Sequence, residues 1–434
     1  MASPFAVNLP RVADLRGGVG SLSRRDVLKR AAALGVSFLL PGLEGRAADS
    51  RGPERPKSLI ALWMGGGPSQ LETFDPHPGT AIGGEIQGID TKIPGVQISH
   101  LLPHLAEQIH EMCLIRSMVS KEGDHERGTY LIKTGYRPDP TLIHPSLGAI
   151  VAHETPADRL EIPQYISILD TQWPGRGGYF GDDYDAFKVL DPNRNLQNMK
   201  APVETDRQSR RLRDLDVVER TFRRRRAFQA DATLHQDTVR RALTMMTSEQ
   251  LQAFQVENEP AAIREAYGNT PFGAGCLIAR RLVEVGVRSI EVNLNGFDTH
   301  ANNFEGQSTQ ARIFDPAFAT LIQDLKDRDL LDSTVVLWMG EFGRTPAINK
   351  VGGRDHWPTG FSCVVGGGGF QKGLVIGETD PEGKKAEPED PIEISHLFAT
   401  IMRTLGVEYG KEIVTPVGRP MLLCQGKPIE RLLA

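Results

Sequence analysis

Apolar runs of strand length alternate along this chain with segments of helical period. KSLIALWMGGG, 57–67, is a continuous apolar run closed by glycines, the pattern of a buried strand and its exit turn. A polar loop, 69–80, follows. Residues 100–118 begin with helical spacing and finish in the strand-like run CLIRSM. HERGTYLIKTGY, 125–136, reads as a short helix stopped by Gly135. A second helix is expected over 145–154 and a strand over 165–169. The alternation resumes at CLIARRLVEVGVRSIEVNLNGFD. There Leu277, Ile278, Leu282 and Val283 mark a helix, and VRSIEVNL marks a strand that delivers Asn295 to His300. A helix over 316–331 then leads to a strand, Thr334 to Met339, which delivers Gly340, Glu341 and Phe342. FSCVVGGGGF is a third strand-like run and EISHLFATIMRTLGV an amphipathic helix. This order predicts an α/β fold: a mainly parallel sheet with helices on both faces. In such sheets ligands bind at the carboxyl ends of the strands. The echo of LWMGGG in LWMGEF, 62–67 and 337–342, suits two strands that end at one edge.

Two stretches depart from the alternation. Residues 183–260 are dense in charge, with Leu212, Leu215, Val218 and Phe222 at helical spacing, which predicts a charged helical insertion or cap. Its FRRRRAF run reads as a polyanion patch or, more commonly for such runs, as a solvated helix face. Near the N-terminus, Arg24 and Arg25 precede an apolar stretch, Ala31 to Leu40, and small residues around Ala47. That is the order of a twin-arginine export signal over 1–47; a short basic amphipathic helix is the alternative. No segment reaches the ~18 apolar residues of a transmembrane helix. The expectation is an exported protein, periplasmic or extracellular, whose partner in transit is the twin-arginine export machinery. That route carries folded proteins, often with a cofactor in place, which suits a metal acquired before export.

Composition narrows the function classes. With 434 residues, 39% hydrophobic and 24% charged, the chain can bury a sizeable core without disulfides. Residues 1–47 hold seven basic and three acidic side chains, so their removal takes the net charge from −5 to −9. A moderately acidic exported protein is a poor nucleic-acid binder. Cys113, Cys276, Cys363 and Cys424 form no CxxC pair, which argues against a cysteine zinc site and a disulfide scaffold.

The chemistry gathers at predicted strand ends. Asp75 follows the first strand, Asp298 and His300 follow NLNGF, Glu341 follows VVLWMG, and Asp355 and His356 lie in GRDHWP. His125 opens a short helix and His396 the last one. Carboxylates and imidazoles are ligands for Zn²⁺, Mn²⁺ and related ions, and strand ends can bring them together. Each has a blander reading as a cap, a turn residue or a local ion pair. No GxSxG elbow or dinucleotide fingerprint is present. Ser69, in GGGPSQ, is a weak nucleophile candidate, and GGGG at 366–369 reads as a strand-exit loop.

LWMGGGPSQLETFDPHPG, HERGTYLIKTGYRPDP with HPSLGA, NGFDTHANN, VLWMGEFGRTP, GRDHWP and GRPMLLCQGKPIERLL together resemble DUF1501, a secreted planctomycete-type family of unknown function. That family is similar to the alkaline phosphatase and sulfatase superfamily. The resemblance spans roughly Lys57 to Leu433 and implies a single alkaline-phosphatase-like domain over 57–434. It implies a divalent metal, zinc, manganese or calcium, held by Asp298, His300, Glu341, Asp355, His356 and His396. It further implies His125 as acid–base or additional ligand, and Arg127 or Arg344 as the group that grips an anion. The place held by the sulfatase cysteine is occupied by His125, and Thr129 is the nearest hydroxyl. The implied function is hydrolysis of phosphate or sulfate esters on small molecules or polysaccharides. The alternative is a non-catalytic exported binding protein on the same fold.

Overall fold

The computed structural model describes residues 58–194, 196–199, 203–231 and 235–434. The export signal expected over 1–47 lies outside these residues. Nine strands form one sheet: Ser58–Gly65 (β1), Met112–Val119 (β2), Tyr165–Ile168 (β3), Phe187–Val189 (β4), Ser289–Asn295 (β5), Thr334–Met339 (β6), Phe361–Gly367 (β7), Val375–Ile376 (β8) and Ile392–Glu393 (β9). Their order is β8-β2-β7-β6-β1-β5-β3-β4, with β9 also paired to β2. Every pairing is parallel except those of β7, which runs antiparallel to β2 and β6. A parallel neighbour needs a crossover, usually a helix. The link from β6 to β7 carries no helix but two short strands, Gly343–Arg344 and His356–Trp357, paired as a ribbon, so the chain returns antiparallel.

The helices described are Pro103–Gln108 (α1), His125–Thr134 (α2), Leu147–Glu154 (α3), Thr205–Asp231 (α4), His235–Thr247 (α5), Ala261–Ala266 (α6), Pro271–Val285 (α7), Asn303–Asp327 (α8) and Ile394–Thr404 (α9). Side chains of β1 alternate between two cores. Ile60, Leu62 and Met64 pack with Leu105 of α1, Cys276 and Leu277 of α7, and Phe314 and Phe318 of α8. Leu59 and Trp63 face Leu131 and Ile132 of α2, Ile150 of α3, and Leu397 and Phe398 of α9. Helices thus cover both faces, and each large side chain buried there contributes about 1.5–3 kcal/mol. All four cysteines are buried and unpaired. Among the described residues no helix is long and apolar enough to cross a membrane.

Local signals explain most boundaries. Asp124 caps α2 by accepting from Arg127 N, and Gly135, at φ 75°, ends it in the left-handed conformation. The helix expected over 316–331 instead spans Asn303–Asp327, with Pro316 inside it. Proline suits a first helical turn, which is why the sequence pattern starts there. In the fold, Phe314, Ala317, Phe318 and Leu321 are buried around Pro316. The adjacent Asp315 carboxylate accepts the N–H groups of His104 and Leu105 at 3.0 and 2.8 Å. Burial outweighs the ~3 kcal/mol cost of an internal proline. The 183–260 stretch contributes the edge strand β4 before α4 and α5. On α4, Val217, Val218 and Phe222 are exposed.

Candidate metal centre

Strands β1, β5 and β6 lie side by side and parallel, with Gly65 opposite Asn295 and Trp63 opposite Met339. Their exit loops are therefore neighbours. Gly66, at φ +107°, permits the closest approach: a Cβ there would lie 2.6 Å from Asp298 N. Its own N–H donates to Glu341 Oε1 at 2.9 Å.

Around Asp298 stand three imidazoles. His125, the first residue of α2, has Nδ1 2.7 Å from Glu341 Oε1 and Nε2 3.2 Å from Asp298 Oδ2. His300 has Nδ1 2.9 Å from Asp355 Oδ1 and Nε2 3.1 Å from Asp298 Oδ1. His356 has Nδ1 2.7 Å from the Gly123 carbonyl and Nε2 3.2 Å from Asp298 Oδ1. The partners assign the tautomers. A carbonyl and two carboxylates accept, so each Nδ1 carries a proton. A neutral ring then directs an Nε2 lone pair at Asp298. The Nε2 atoms of His300 and His356 are 3.0 Å apart, and the buried His125 Nε2 faces only the Asp298 carboxylate.

Lone pairs and a carboxylate crowded together repel one another unless a cation or protons lie between them. Ligand atoms about 2.0–2.1 Å from a tetrahedral zinc sit ~3.3 Å apart. The triangle of His300 Nε2, His356 Nε2 and Asp298 Oδ1, with edges of 3.0, 3.1 and 3.2 Å, is close to that spacing. Backing of each imidazole by an oxygen is the usual support for a metal-ligating histidine. The donor set fits a divalent cation.

Electrostatics favour the ligand forms at two of these residues. Burial alone would raise the Asp298 carboxyl, but the hydrogen bond and charge of Arg344, with His125 and His356, outweigh it and hold it at about 2. Burial pushes the His356 imidazole below its ordinary value, so the ring stays neutral. His125 is shifted upward, chiefly by its hydrogen bond to Glu341. A cation at its Nε2 would meet the Asp298 carboxylate, one of the two that now favour a proton. The hydrogen bond from His300 lowers Asp355.

Glu341, predicted as a direct ligand, is 1% exposed and stands behind His125, which lies between it and Asp298. Asp355 likewise stands behind His300. Arg344, predicted to grip an anion with a free fork, is fully buried and committed. Its Nη2 donates to Asp298 Oδ1 at 2.6 Å and to the Gly66 carbonyl, Nε to Gly67 O at 3.0 Å, and Nη1 to Arg354 O at 3.1 Å. It positions Asp298. Arg127 is 61% exposed and pairs with Glu122 at 2.8 Å. His396 bonds through Nδ1 to the backbone of Lys427 and lines a separate cleft. Ser69 and Thr129 are buried, and Asp75 accepts from Thr379. The Gly123 carbonyl was missed, because a backbone group carries no side-chain signal.

No curated protein matches this chain. Solved structures that resemble it include alkaline phosphatase from the Antarctic bacterium TAB5, at 14% identity and TM-score 0.39, covering 82% of this chain and 100% of that one. Another is the lipoteichoic acid synthase LtaP from Listeria monocytogenes, at 11% and 0.38, covering 82% and 73%. A third is the zinc complex of the C-terminal periplasmic domain of EcEptC from Escherichia coli, at 10% and 0.37, covering 88% and 92%. The model of the family described as protein of unknown function (DUF1501) matches residues 56–433, and the chain belongs to that family.

Proposed function

We propose that this chain is an exported, metal-dependent hydrolase of phosphate or sulfate esters. One observation carries the metal: three imidazoles, each with Nδ1 held by an outer oxygen, aim Nε2 at one carboxylate. His125, Asp298, His300 and His356 would hold the ion. A donor set with several imidazoles suits zinc or manganese better than calcium, which prefers oxygen ligands. The ester chemistry is what the motif resemblance implies. A divalent cation at such a site supplies Lewis-acid activation of water and stabilises charge on a transferring phosphoryl or sulfuryl group.

The residues divide into a closed and an open limb. Buried Glu341 and Arg344 fix His125 and Asp298 from behind. His300 is 48% exposed and Asp355 61%, so substrate reaches the cluster from that side. Ser69 and Thr129 are too buried to attack an ester, and the reaction does not pass through either hydroxyl. Their burial also favours the alternative, a non-catalytic binding protein on the same scaffold. Assays of aryl phosphates and aryl sulfates with added zinc or manganese separate the two. Turnover that is lost on chelation and in Asp298→Ala supports the hydrolase. A metal-loaded protein without turnover on either ester class refutes it.

A further inference from the structure

Several segments singled out in the sequence take no part in the cation cluster: GYRPDP, His144, the start of α9 with His396, and GRPMLLCQ. All of them line one cleft of about 870 Å³. That volume lies in the range of small-molecule sites. The cleft borders the cluster through shared segments. Ser120 N donates to Pro358 O at 2.7 Å, and Ser120 and Thr359 both line the cleft. The same two segments supply the Gly123 carbonyl and His356 to the cluster. Helix α2 begins with His125 at the cluster and ends at Gly135 in the cleft wall, ~15 Å away at 1.5 Å per residue.

The cations of the cleft are already paired. Arg419 meets Asp139 at 3.2 Å and Lys121 meets Glu393 at 3.5 Å, while Arg137 is held by Glu122 at 2.9 Å. Glu387 adds a further carboxylate to the wall. Each of its three cations is matched by an acid and only Glu387 is left over, so the cleft holds no positive surplus for a polyanion and no more than one spare carboxylate for a polycation. What it offers is donors and acceptors side by side, with Ser395, Thr359 and Gln425 among them. Its floor includes Tyr136, stacked on His144 at 4.4 Å and 5°. Hydroxyl groups, each both donor and acceptor, match such a wall.

We infer that this cleft binds an uncharged oligosaccharide. It is the seat of the carbohydrate body of an ester whose anionic group lies at the cation cluster. The assignment of that body to an ester rests on the hydrolase reading; the binding itself does not require turnover.

Titration calorimetry with neutral tetrasaccharides of gluco, galacto, manno and xylo configuration tests it, with a heparin tetrasaccharide and a neutral tetrapeptide as counter-probes. At least one neutral tetrasaccharide binds. Arg137→Ala and Arg419→Ala each weaken that binding by about tenfold, as expected for loss of a charge-assisted hydrogen bond. Asp298→Ala leaves it unchanged even though any ester turnover is lost, so failure of the hydrolase reading and failure of the cleft are told apart. Thermal melting checks each variant, and exposed Gln425→Ala replaces any that fails to fold. The inference is overturned if no neutral tetrasaccharide binds, if the heparin fragment or the peptide binds in preference, if the cleft variants bind as wild type, or if Asp298→Ala abolishes binding.

Discussion

The carbonyl of Gly123 fixes which nitrogen of His356 carries its proton: the Nδ1–O distance is 2.7 Å, leaving Nε2 free to face Asp298. Glu341 does the same for His125, and Asp355 for His300. The cluster is thus organised from outside inward, and its outer groups differ in burial. Glu341 is enclosed, and Asp355 is open to solvent.

Glu341→Gln keeps an oxygen that can accept from His125 and Gly66 but removes the charge. Loss of an outer partner typically lowers cation affinity about 10–100-fold. That drop is expected in a competitive chelator titration, with melting temperature little changed. Glu341→Ala instead leaves the Gly66 N–H and His125 Nδ1 without their acceptor, at about 1–3 kcal/mol for each buried donor. Its melting temperature falls as well.

Gly66→Ala places a Cβ 2.6 Å from Asp298 N and 2.9 Å from Phe297 N, in a backbone conformation that L residues rarely adopt. The loop after β5 must retreat and take Asp298 with it. Cation affinity is expected to drop while far-ultraviolet circular dichroism stays that of the wild type. Unchanged affinity would separate Gly66 from the geometry of the centre.

Arg354 is fully buried, pairs with Glu72 at 3.0 Å and donates to the carbonyls of Ile82, Thr345 and Pro346. Arg354→Met strands a buried carboxylate, a loss of about 3–5 kcal/mol by the usual cost of breaking a buried pair. Urea denaturation should show it as a lower midpoint with an unchanged slope.

Acid sensitivity has a clear local source in Glu111. Its burial alone would raise the carboxyl, but Lys326 and Lys372 hold it at about 2, below the ordinary 4.5. Between those values the unfolded chain binds more protons than the folded one, so stability rises with pH. The contribution is complete above pH 4.5 and is lost as the pH falls toward 2. In the double variant Lys326→Met, Lys372→Met the slope of unfolding free energy against pH in this window flattens or reverses. An unchanged slope would place the acid sensitivity elsewhere.

Much of the fold was legible because central strands such as β1 and β6 are apolar on both faces and end at a glycine, while β5 keeps one apolar face and ends at an asparagine. The direction of β7 was not, since nothing in FSCVVGG records whether a helix precedes it in the crossover. Pro316 misplaced a helix start because tertiary burial, invisible in a local pattern, overrode proline's preference. Among the candidate ligands, Asp298 and His300 were legible as an acid and a histidine just past a strand end, and His356 as the histidine of the acid–histidine pair in GRDHWP. Glu341 and Arg344 were found as residues, but burial turned their roles from ligand and anion clamp to support. His396 carried the same signal as His125, a histidine opening a helix. Only the three-dimensional path of α9 sends it to the cleft.

Metal content tests the central claim most directly. Protein purified without chelator and analysed by inductively coupled plasma mass spectrometry should hold about one zinc or manganese per chain, as a preformed donor set of this kind requires. Asp298→Ala should lose that ion and remain folded. A folded wild-type protein that carries no divalent cation and takes none up on dialysis against zinc or manganese would contradict the account.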